Sequence, residues 1–148
     1  MKISAKGRYA LASIIYMASK YDTGEYITLS NISDNLGFSK IYLEQIFSVI
    51  KRAGIVSSIK GAQGGYQLTR SPDKITAFDI LSSTENILLE ETEPAVKQKI
   101  PEYEVAIHNL IFDPLDNTIK DTLKKVTLRN LLIEAKVHKE ESNCMFYI

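Results

Sequence analysis

The sequence is poor in the residues that disulfide-linked, metal-binding and catalytic proteins use. Its 148 residues include one cysteine, Cys144, and two histidines, His108 and His138. A single cysteine excludes an intrachain disulfide and cannot by itself provide a zinc or iron–sulfur site. Neither histidine lies near a G-x-S-x-G, H-E-x-x-H, P-loop or dinucleotide signature. We therefore expect a protein that is not an enzyme and that has no catalytic residue, metal or cofactor.

Long apolar runs are also missing. A transmembrane helix requires about 18 or more consecutive apolar residues, and no segment of this sequence approaches that length. Residues 1–6 carry neither the apolar core nor the cleavage site of a signal peptide. These two absences predict a cytoplasmic protein without a membrane partner.

The formal net charge is zero, but the charge is divided unevenly along the chain. Residues 1–75 contain 10 Lys or Arg and 5 Asp or Glu, whereas residues 76–148 contain 8 and 13, so the two halves carry +5 and −5. The length suits one compact core, or a small domain with an appendage. We expect the basic half to contact an anionic polymer and the acidic half to point away from it.

The first third of the chain has the pattern of three helices. A first helix is expected over residues 4–21. A second, short helix over residues 29–36 ends at Gly37, and Ser39 suits the N-cap of a third helix that continues to Ala53. A short helix, a turn with glycine and a longer capped helix form the helix-turn-helix arrangement, which places its second helix in the major groove of DNA.

The third helix has one apolar and one polar side. The apolar residues share a face that should pack on the first two helices: Leu43, Ile46, Phe47, Val49, Ile50 and Ala53. The opposite side would face the major groove and carries Lys40, Ile41, Glu44, Gln45, Ser48 and Arg52. Gln45 can pair with adenine, Glu44 can accept a hydrogen bond from cytosine, and Ser48 can serve several bases. For an isolated helix, an ordinary solvated face is the alternative interpretation.

Residues 55–69 predict two short strands joined by a glycine-rich hairpin. Gly61, Gly64 and Gly65 would permit the positive-φ backbone of a tight turn and keep its tip narrow enough to enter a minor groove. Lys60 stands beside this turn, where it would meet the negative potential of the groove. Such a hairpin is common in proteins of many functions. Directly after a helix-turn-helix, however, it predicts a DNA-binding wing.

Affinity for DNA should come mainly from cations that meet phosphates, and specificity from polar groups that reach base edges. A tyrosine side chain has an apolar ring and a polar hydroxyl group, and it packs in a protein core more often than it contacts a base. With the wing tyrosine retained as a candidate, the predicted DNA-binding residues are Lys2, Lys6, Arg8, Ser39, Lys40, Glu44, Gln45, Ser48, Arg52, Lys60, Gly61, Gly64, Gly65 and Tyr66.

The second half of the sequence predicts helices that pair two subunits. A fourth helix is expected over residues 76–83, and residues 85–101 predict an irregular connector with two prolines and no glycine or aromatic residue. A short helix over residues 102–112 would precede one that is capped by Asp113, and another short helix would cover residues 127–136. The apolar stripe of the capped helix consists of Leu115, Ile119, Leu123 and Val126. A small domain offers this stripe too little core, so we expect it to form the contact of a homodimer.

The expected fold is therefore mainly α-helical with a small β-hairpin wing. Residues 1–84 would form a winged helix-turn-helix domain and residues 85–101 a connector. Residues 102–136 would form the dimerisation helices, and residues 137–148 a C-terminal tail.

The tail ends in large apolar and aromatic residues, which would cost free energy if they stayed in water. These residues are Met145, Phe146, Tyr147 and Ile148. We expect them to dock either on the protein's own dimer or on a partner, with the carboxylate of Ile148 as the anchoring charge. The neighbouring Cys144 is expected to be exposed, where oxidation or an intersubunit disulfide could form.

Several segments together resemble a family of bacterial winged-helix repressors, of the IscR, NsrR and CymR type. They are MKIS, GRYAL, YLEQI, AGIV, KGAQGGY, ITAFDI and VTLRNL, and they cover residues 1–84 closely and the later half loosely. The resemblance implies a homodimer whose two winged domains read a palindromic operator in double-stranded DNA. It also implies that Glu44 and Gln45 lie on the base-reading helix. Lys60 lies where the wing of the family usually presents arginine, and the more strongly hydrated lysine would contribute less to specificity.

The resemblance also indicates a branch within the family. Cluster-binding members carry three cysteines in the stretch that corresponds to residues 85–112, where this sequence has none, so an iron–sulfur sensor is not expected. The missing cluster and the apolar ending are similar to the repressor of cysteine metabolism. In that branch the signal is implied to come through a complex with a cysteine synthase, which the Ile148 tail would enter.

Two alternatives stay open at this point. The first is a redox- or metabolite-sensing repressor that uses Cys144 or a small-molecule pocket. The second is a protein-interaction adaptor whose winged domain is vestigial and has no preference among DNA sequences.

Overall fold

The computed structural model describes residues 1–86, 90–95 and 99–146. Its helices and strands are α1 (Ala5–Ser19), α2 (Leu29–Leu36), α3 (Lys40–Arg52), β1 (Val56–Ile59), β2 (Gly65–Leu68), α4 (Ala77–Thr84), α5 (Pro101–Ile107), α6 (Asp113–Lys125) and α7 (Leu128–Phe146). A 3-10 turn follows α1, another precedes α4, and a π-helical turn, His108–Phe112, joins α5 to α6. The predicted fold class, mainly α-helical with a β-hairpin wing, is confirmed.

The ends of the first three helices carry residues that accept hydrogen bonds from free backbone N–H groups or that turn the chain out of the helix. The Ser4 side chain accepts a hydrogen bond from Gly7 N–H and caps α1. Gly37 ends α2 with a left-handed φ of 70°, so the predicted bounds of this helix are confirmed. The prediction for α1 was too long, because a 3-10 turn begins at Tyr21. Ser39 occupies the N-cap position of α3 as predicted, although its side chain makes no capping hydrogen bond.

Among the described residues, a hydrophobic cluster lies between α1, α2, α3, α4, the start of α7 and the wing. Its largest fully buried side chains include Ile14, Ile32, Leu43, Phe47, Ile50, Ile80 and Leu128. Burying one such side chain contributes about 1.5–3 kcal/mol to folding. The predicted apolar face of α3 is confirmed, since Ile46 is also buried and Val49 is half-buried. Ala53 was predicted to be buried and is exposed, because it is the C-cap residue at the surface end of the helix.

The wing is an antiparallel hairpin to which a third segment adds. In the hairpin Val56 pairs with Leu68 and Ile59 with Gly65. The extended piece before α2 joins the outer side of β2, where Ile27 N–H donates to Tyr66 O at 2.9 Å and Tyr66 N–H donates to Ile27 O at 2.8 Å. These two bonds connect the wing to the helical part of the domain.

The helices of the second half differ from the prediction at Asp113. This residue has helical backbone angles of −61° and −43°, so the chain is helical from Pro101 to Lys125 without a break. Asp113 is therefore not the N-cap of a new helix, and its N–H donates to His108 O in the π-helical turn. The next residue, Pro114, has no N–H to donate to the helix. The π-helical turn before it changes the pattern of backbone hydrogen bonds locally, so a proline is tolerated at this point.

The last helix is longer than predicted and is fixed to the winged domain. Residues 127–136 were expected to be helical, but α7 continues to Phe146. Val126 is extended, with φ −96° and ψ 111°, and links α6 to α7. Leu128 and Leu132 at the start of α7 are buried, and Leu128 belongs to the main core. In the described part of the chain, no helix has both the length and the apolarity needed to cross a membrane.

Candidate nucleic-acid interface

The polar side of α3 faces solvent. Every residue of this side, called the recognition face below, is exposed: Lys40, Ile41, Glu44, Gln45, Ser48 and Arg52. Ile41 is 71% exposed and is the apolar member of this face. Glu44 and Gln45 in one turn of the helix, and Ser48 in the next, supply hydrogen-bond acceptors and donors on this face, as base readout requires.

Aromatic contacts fix the N-terminal end of α3. The ring of Phe38, in the turn before α3, stacks on Tyr9 of α1 with a centroid distance of 4.2 Å. Tyr42 of α3 packs edge-on against the same Tyr9 ring at 5.6 Å. The Ser33 hydroxyl donates to Phe38 O at 2.6 Å and closes the turn. The recognition face therefore has a fixed orientation relative to α1.

The wing is attached to α3 at several points. Lys51 Nζ donates to Ser58 Oγ on β1 at 2.6 Å, and the Tyr66 ring lies edge-on to Phe47 with a centroid distance of 4.9 Å. At the end of β2, the Thr69 hydroxyl donates to Gly54 O at 2.6 Å. These contacts hold the hairpin beside the helix whose polar side is exposed, so one surface carries both.

The tip of the wing requires glycine for two different reasons. Gly61 and Gly65 adopt φ values of 116° and 147°, in the region that favours glycine. The same conformation was predicted for Gly64, and that prediction was wrong, because Gly64 is not among the glycines with positive φ. A Cβ at Gly64 would instead lie 2.5 Å from Ile59 O and 2.9 Å from Gly61 O, so lack of space requires glycine there. Lys60 is exposed beside this narrow tip.

Most of the predicted phosphate-binding cations make no ion pair with the protein's own acids. Lys2, Arg8 and Lys60 are exposed and Lys6 is half-buried, and none of them pairs with an acid within the described ranges, nor does Lys40. Other cations of the molecule are engaged: Arg70 pairs with Asp79 and Arg129 pairs with Asp73, each at 3.4 Å, and Lys120 pairs with Glu91 at 3.3 Å. Within the described ranges, the cations predicted to meet phosphates are therefore not neutralised by an acid of the protein itself.

Two predicted wing residues have structural roles. Tyr66 is half-buried, packs on Phe47 and pairs its backbone with Ile27. A Cβ at Gly65 would lie 2.7 Å from Ile27 O. Packing accounts for both residues, and their direct contact with DNA stays a prediction.

The predicted dimerisation stripe is divided in the structure. Leu115 is 55% exposed, but Ile119 and Leu123 are half-buried on a helix that packs against α4, with Lys124 Nζ 5.0 Å from the centroid of the Phe78 ring. Val126 was predicted to continue the stripe and does not lie on the helix, because its backbone is extended and its oxygen accepts from Ala77 N–H. The exposed apolar side chains of the same long helix are instead Tyr103, Val105, Leu110, Ile111 and Leu115.

The C-terminal tail is described in part. Cys144 and Met145 are exposed on α7, Met145 to 80%. The side chain of Phe146 and the whole of Tyr147 and Ile148 lie outside what the structure describes.

A pocket that could hold a small molecule lies behind the wing. This cleft of about 410 Å³ is lined by the end of α1, the turn after it and strand β2. Its apolar floor includes Met17 and Ile27, and its rim carries Lys20, Asp22 and Glu25. Within the described ranges, no group of three or more His, Cys, Asp or Glu residues is arranged to hold a metal ion.

Comparison with known proteins assigns the chain to a family. Residues 3–134 match the family Rrf2, described as "Iron-dependent Transcriptional regulator". The transcriptional regulator CymR of Bacillus subtilis is 37% identical over the full length of both chains. IscR of Aliivibrio salmonicida is 30% identical over 94% of this chain and 82% of its own length.

Solved structures agree with these relatives. The structure of CymR, the global cysteine regulator of Bacillus subtilis, superposes with a TM-score of 0.71 at 34% identity, over 90% of this chain and 98% of that one. An oxidised form of Staphylococcus aureus CymR superposes with a TM-score of 0.65 at 32% identity, over 89% of this chain and 96% of that one. These relatives are named as transcriptional regulators and not as enzymes. The chain is thus a helix-turn-helix transcriptional regulator that belongs to the Rrf2 family.

Proposed function

We propose that this protein is a homodimeric repressor that binds a palindromic operator and controls genes of cysteine or sulfur metabolism. The observation that carries the proposal is the exposed recognition face of α3 next to a wing that is fixed to the same helix. A hairpin held beside this face suits simultaneous contact with the major and minor grooves of one duplex.

In this proposal the two parts of the interface have separate tasks. Gln45, Glu44 and Ser48 hydrogen-bond to base edges in the major groove. Lys60 enters the adjacent minor groove, and the remaining cations contact phosphates. The phosphate contacts are assigned to Lys2, Lys6, Arg8, Lys40 and Arg52.

The dimer is supported by the apolar surface of the long helix between Pro101 and Lys125. Leu110 is 79% exposed and Ile111 and Leu115 are about half exposed, although all three are large aliphatic residues. Groups of exposed apolar side chains mark an interaction surface. A second copy of the same helix would cover them and would place two winged domains on the two halves of a palindrome.

The metabolic assignment is supported by the relatives. The CymR structure is described as that of a global cysteine regulator, and this chain aligns with CymR over its full length. The proposed partner that carries the signal is a cysteine synthase, contacted by Met145, Phe146, Tyr147 and Ile148. Because α7 remains helical as far as Phe146, insertion of these residues as an extended peptide would require the last turn of α7 to unwind.

A redox-sensing repressor is the second candidate. It is favoured by the exposed thiol of Cys144, since exposed thiols are the ones that oxidants reach. In this case oxidant would change the affinity for DNA with no protein partner present, and Cys144→Ser would abolish the response.

The DNA-binding function is tested by selection from a pool of random duplexes, followed by footprinting of the enriched sequence. We expect one palindromic sequence, protected on both half-sites, and binding that weakens steeply with salt. Enrichment of no sequence would refute the proposal and favour an interaction adaptor.

The partner is tested separately with a form that lacks residues 145–148. The full chain should associate with a cysteine synthase and the shortened chain should not. The shortened chain should still bind the selected duplex, because the removed residues lie at the far end of α7 from the winged core. Undiminished association of the shortened chain would refute the tail contact.

A further inference from the structure

Glu85, the first residue after α4, reaches the beginning of α1. Its Oε1 accepts a hydrogen bond from Ser4 N–H at 3.1 Å and another from the Ser4 hydroxyl at 2.5 Å. Ser4 Oγ accepts in turn from Gly7 N–H at 3.0 Å. The three residues, called the Glu85 relay below, connect the first turn of α1 to a carboxylate that lies 81 positions later in the sequence.

Gly7 leaves the space that this carboxylate occupies. A Cβ built on Gly7 would overlap Glu85 Oε1 and would lie 3.0 Å from Ile3 Cγ2. Gly7 is buried within α1 and is not among the glycines with positive φ. The helix therefore has a glycine here because of the carboxylate above it, and not because of its backbone conformation.

A carboxylate at this place is unfavourable for DNA binding on electrostatic grounds. The surrounding residues 1–8 carry Lys2, Lys6 and Arg8, which are proposed to bind phosphates. A negative charge among them weakens the attraction to DNA. The benefit of this carboxylate is structural. The first turn of α1 contains no acidic residue of its own, and an anion at that end stabilises the helix by interacting with its dipole and its free N–H groups.

We propose that Glu85 is a positioning residue for DNA binding, which holds residues 1–8 in the arrangement that contacts phosphates. This inference rests on the proposed function, since it requires that residues 1–8 meet DNA. Because Glu85 is also the first residue of the predicted connector, any event that pulls the connector away from α1 breaks the relay and lowers the affinity for DNA.

Whether removal of the Glu85 carboxylate raises or lowers the affinity for DNA tests this positioning role. Glu85→Ala and Glu90→Ala each remove one negative charge, and Glu90 is an exposed residue of the same connector. Simple electrostatics predicts that both variants bind the selected duplex as well as the wild type or better. The relay predicts instead that Glu85→Ala binds at least about fivefold more weakly, while Glu90→Ala does not. Because fewer cations of Glu85→Ala would meet phosphates, its plot of log Kd against log salt should also become shallower by about one charge for each subunit.

Gly7→Ala provides an independent arm, because it breaks the relay without a change of charge. It should weaken binding as Glu85→Ala does. The double variant Gly7→Ala/Glu85→Ala should bind no more weakly than Glu85→Ala, since the added methyl group then occupies the space of the missing carboxylate. Glu85→Gln keeps an acceptor oxygen for Ser4, so it should bind DNA more tightly than Glu85→Ala and more weakly than the wild type. This variant tests the relay even if Glu85→Ala does not fold.

The outcomes separate this inference from the proposed function. Equal gains of affinity in Glu85→Ala and Glu90→Ala, or reductions of affinity that simply add in the double variant, would overturn the positioning role while DNA binding by the wild type stands. If the wild-type protein enriches no duplex, the proposed function fails, and the role of Glu85 in DNA binding fails with it.

Discussion

Gly65→Ala tests the connection between the wing and the rest of the domain. Gly65 has a φ of 147°, in a region where a residue other than glycine costs about 1–3 kcal/mol. An alanine Cβ would also lie 2.7 Å from the oxygen and 2.8 Å from the carbonyl carbon of Ile27. These are backbone atoms, and Ile27 is bound to Tyr66 through both its N–H and its oxygen. The methyl group and this pair of hydrogen bonds therefore compete for the same space.

The expected cost follows from these two effects. Each of the two hydrogen bonds contributes about 0.5–1.5 kcal/mol, so their rupture adds about 1–3 kcal/mol to the conformational strain. Gly61→Ala is the matched control, because Gly61 also has a positive φ, 116°, but nothing lies within 4 Å of its Cβ position. The free energy of unfolding should therefore fall by about 1–3 kcal/mol more in Gly65→Ala than in Gly61→Ala.

Urea denaturation of the two variants measures this difference, and amide hydrogen exchange locates it. Exchange of the Ile27 and Tyr66 N–H groups should accelerate in Gly65→Ala and should remain slow in Gly61→Ala. If the two variants are equally stable, or if both amides stay protected in Gly65→Ala, then the contact between Ile27 and β2 does not hold the wing and the reasoning is wrong.

Three further predictions concern base readout, the dimer and the core. Gln45→Ala should reduce the preference for one or two base pairs of the selected duplex by about 1–3 kcal/mol, whereas Lys6→Ala should weaken all duplexes alike; competition binding separates the two. Leu110→Asp should shift the protein to monomer in analytical ultracentrifugation, and Asn109→Asp, which adds the same charge at the neighbouring exposed position, should leave a dimer. Leu128→Ala, at a fully buried position, should lower the free energy of unfolding by about 2–5 kcal/mol in denaturation measurements, because it leaves a cavity in the winged core. If Leu128→Ala had the same free energy of unfolding as the wild type, the start of α7 would contribute nothing to the stability of that core.

Where structure is decided by neighbouring residues, the sequence was sufficient to predict it. Gly37 ends α2 because a left-handed residue is needed there, and the bounds of α2 were predicted correctly. The wing was predicted from Gly61, Gly64 and Gly65. Positive φ, which is a property of the turn itself, was predicted correctly for Gly61 and Gly65 and wrongly for Gly64. The exposed polar side of α3 followed from the helical spacing of its apolar residues, since a helix on a core has one buried face.

Local signals failed where a residue satisfies the backbone in an unusual way. Asp113 followed by Pro114 is typical of a helix start, because proline is tolerated where no N–H is needed. The same condition is met inside the long helix by the π-helical turn before Pro114. Val126 matched the spacing of an apolar stripe, but its oxygen binds Ala77 N–H and its backbone has left the helix.

Contacts between distant segments could not be predicted from the sequence. Nothing close to Glu85 in the chain indicates that its carboxylate binds Ser4, and nothing close to Gly7 indicates which atom a side chain would meet. In the same way, Arg70 is as basic as Lys60 in the sequence, yet Arg70 is engaged by Asp79 and Lys60 has no ion-pair partner within the described ranges. Which cations are free for DNA is decided by tertiary structure.

The two halves of the chain meet at a short antiparallel bridge between Thr76 and Thr127. Ala77 N–H donates to Val126 O and Leu128 N–H donates to Ile75 O, both at 2.8 Å. The first residue of each of the helices α4 and α7 is therefore hydrogen-bonded to the segment that precedes the other helix. Since Leu128 is also fully buried in the winged core, α7 cannot rotate about its first turn without moving the start of α4.

Helix α4 leads directly to Glu85, whose carboxylate binds the first turn of α1. An event that displaces Glu85 would therefore act on the contact between α4 and α1. Residues 1–8, with the cations proposed to meet phosphates, begin at that contact. If residues 1–8 contact phosphates as proposed, loss of the Glu85 contact would weaken DNA binding without any change in the recognition face itself.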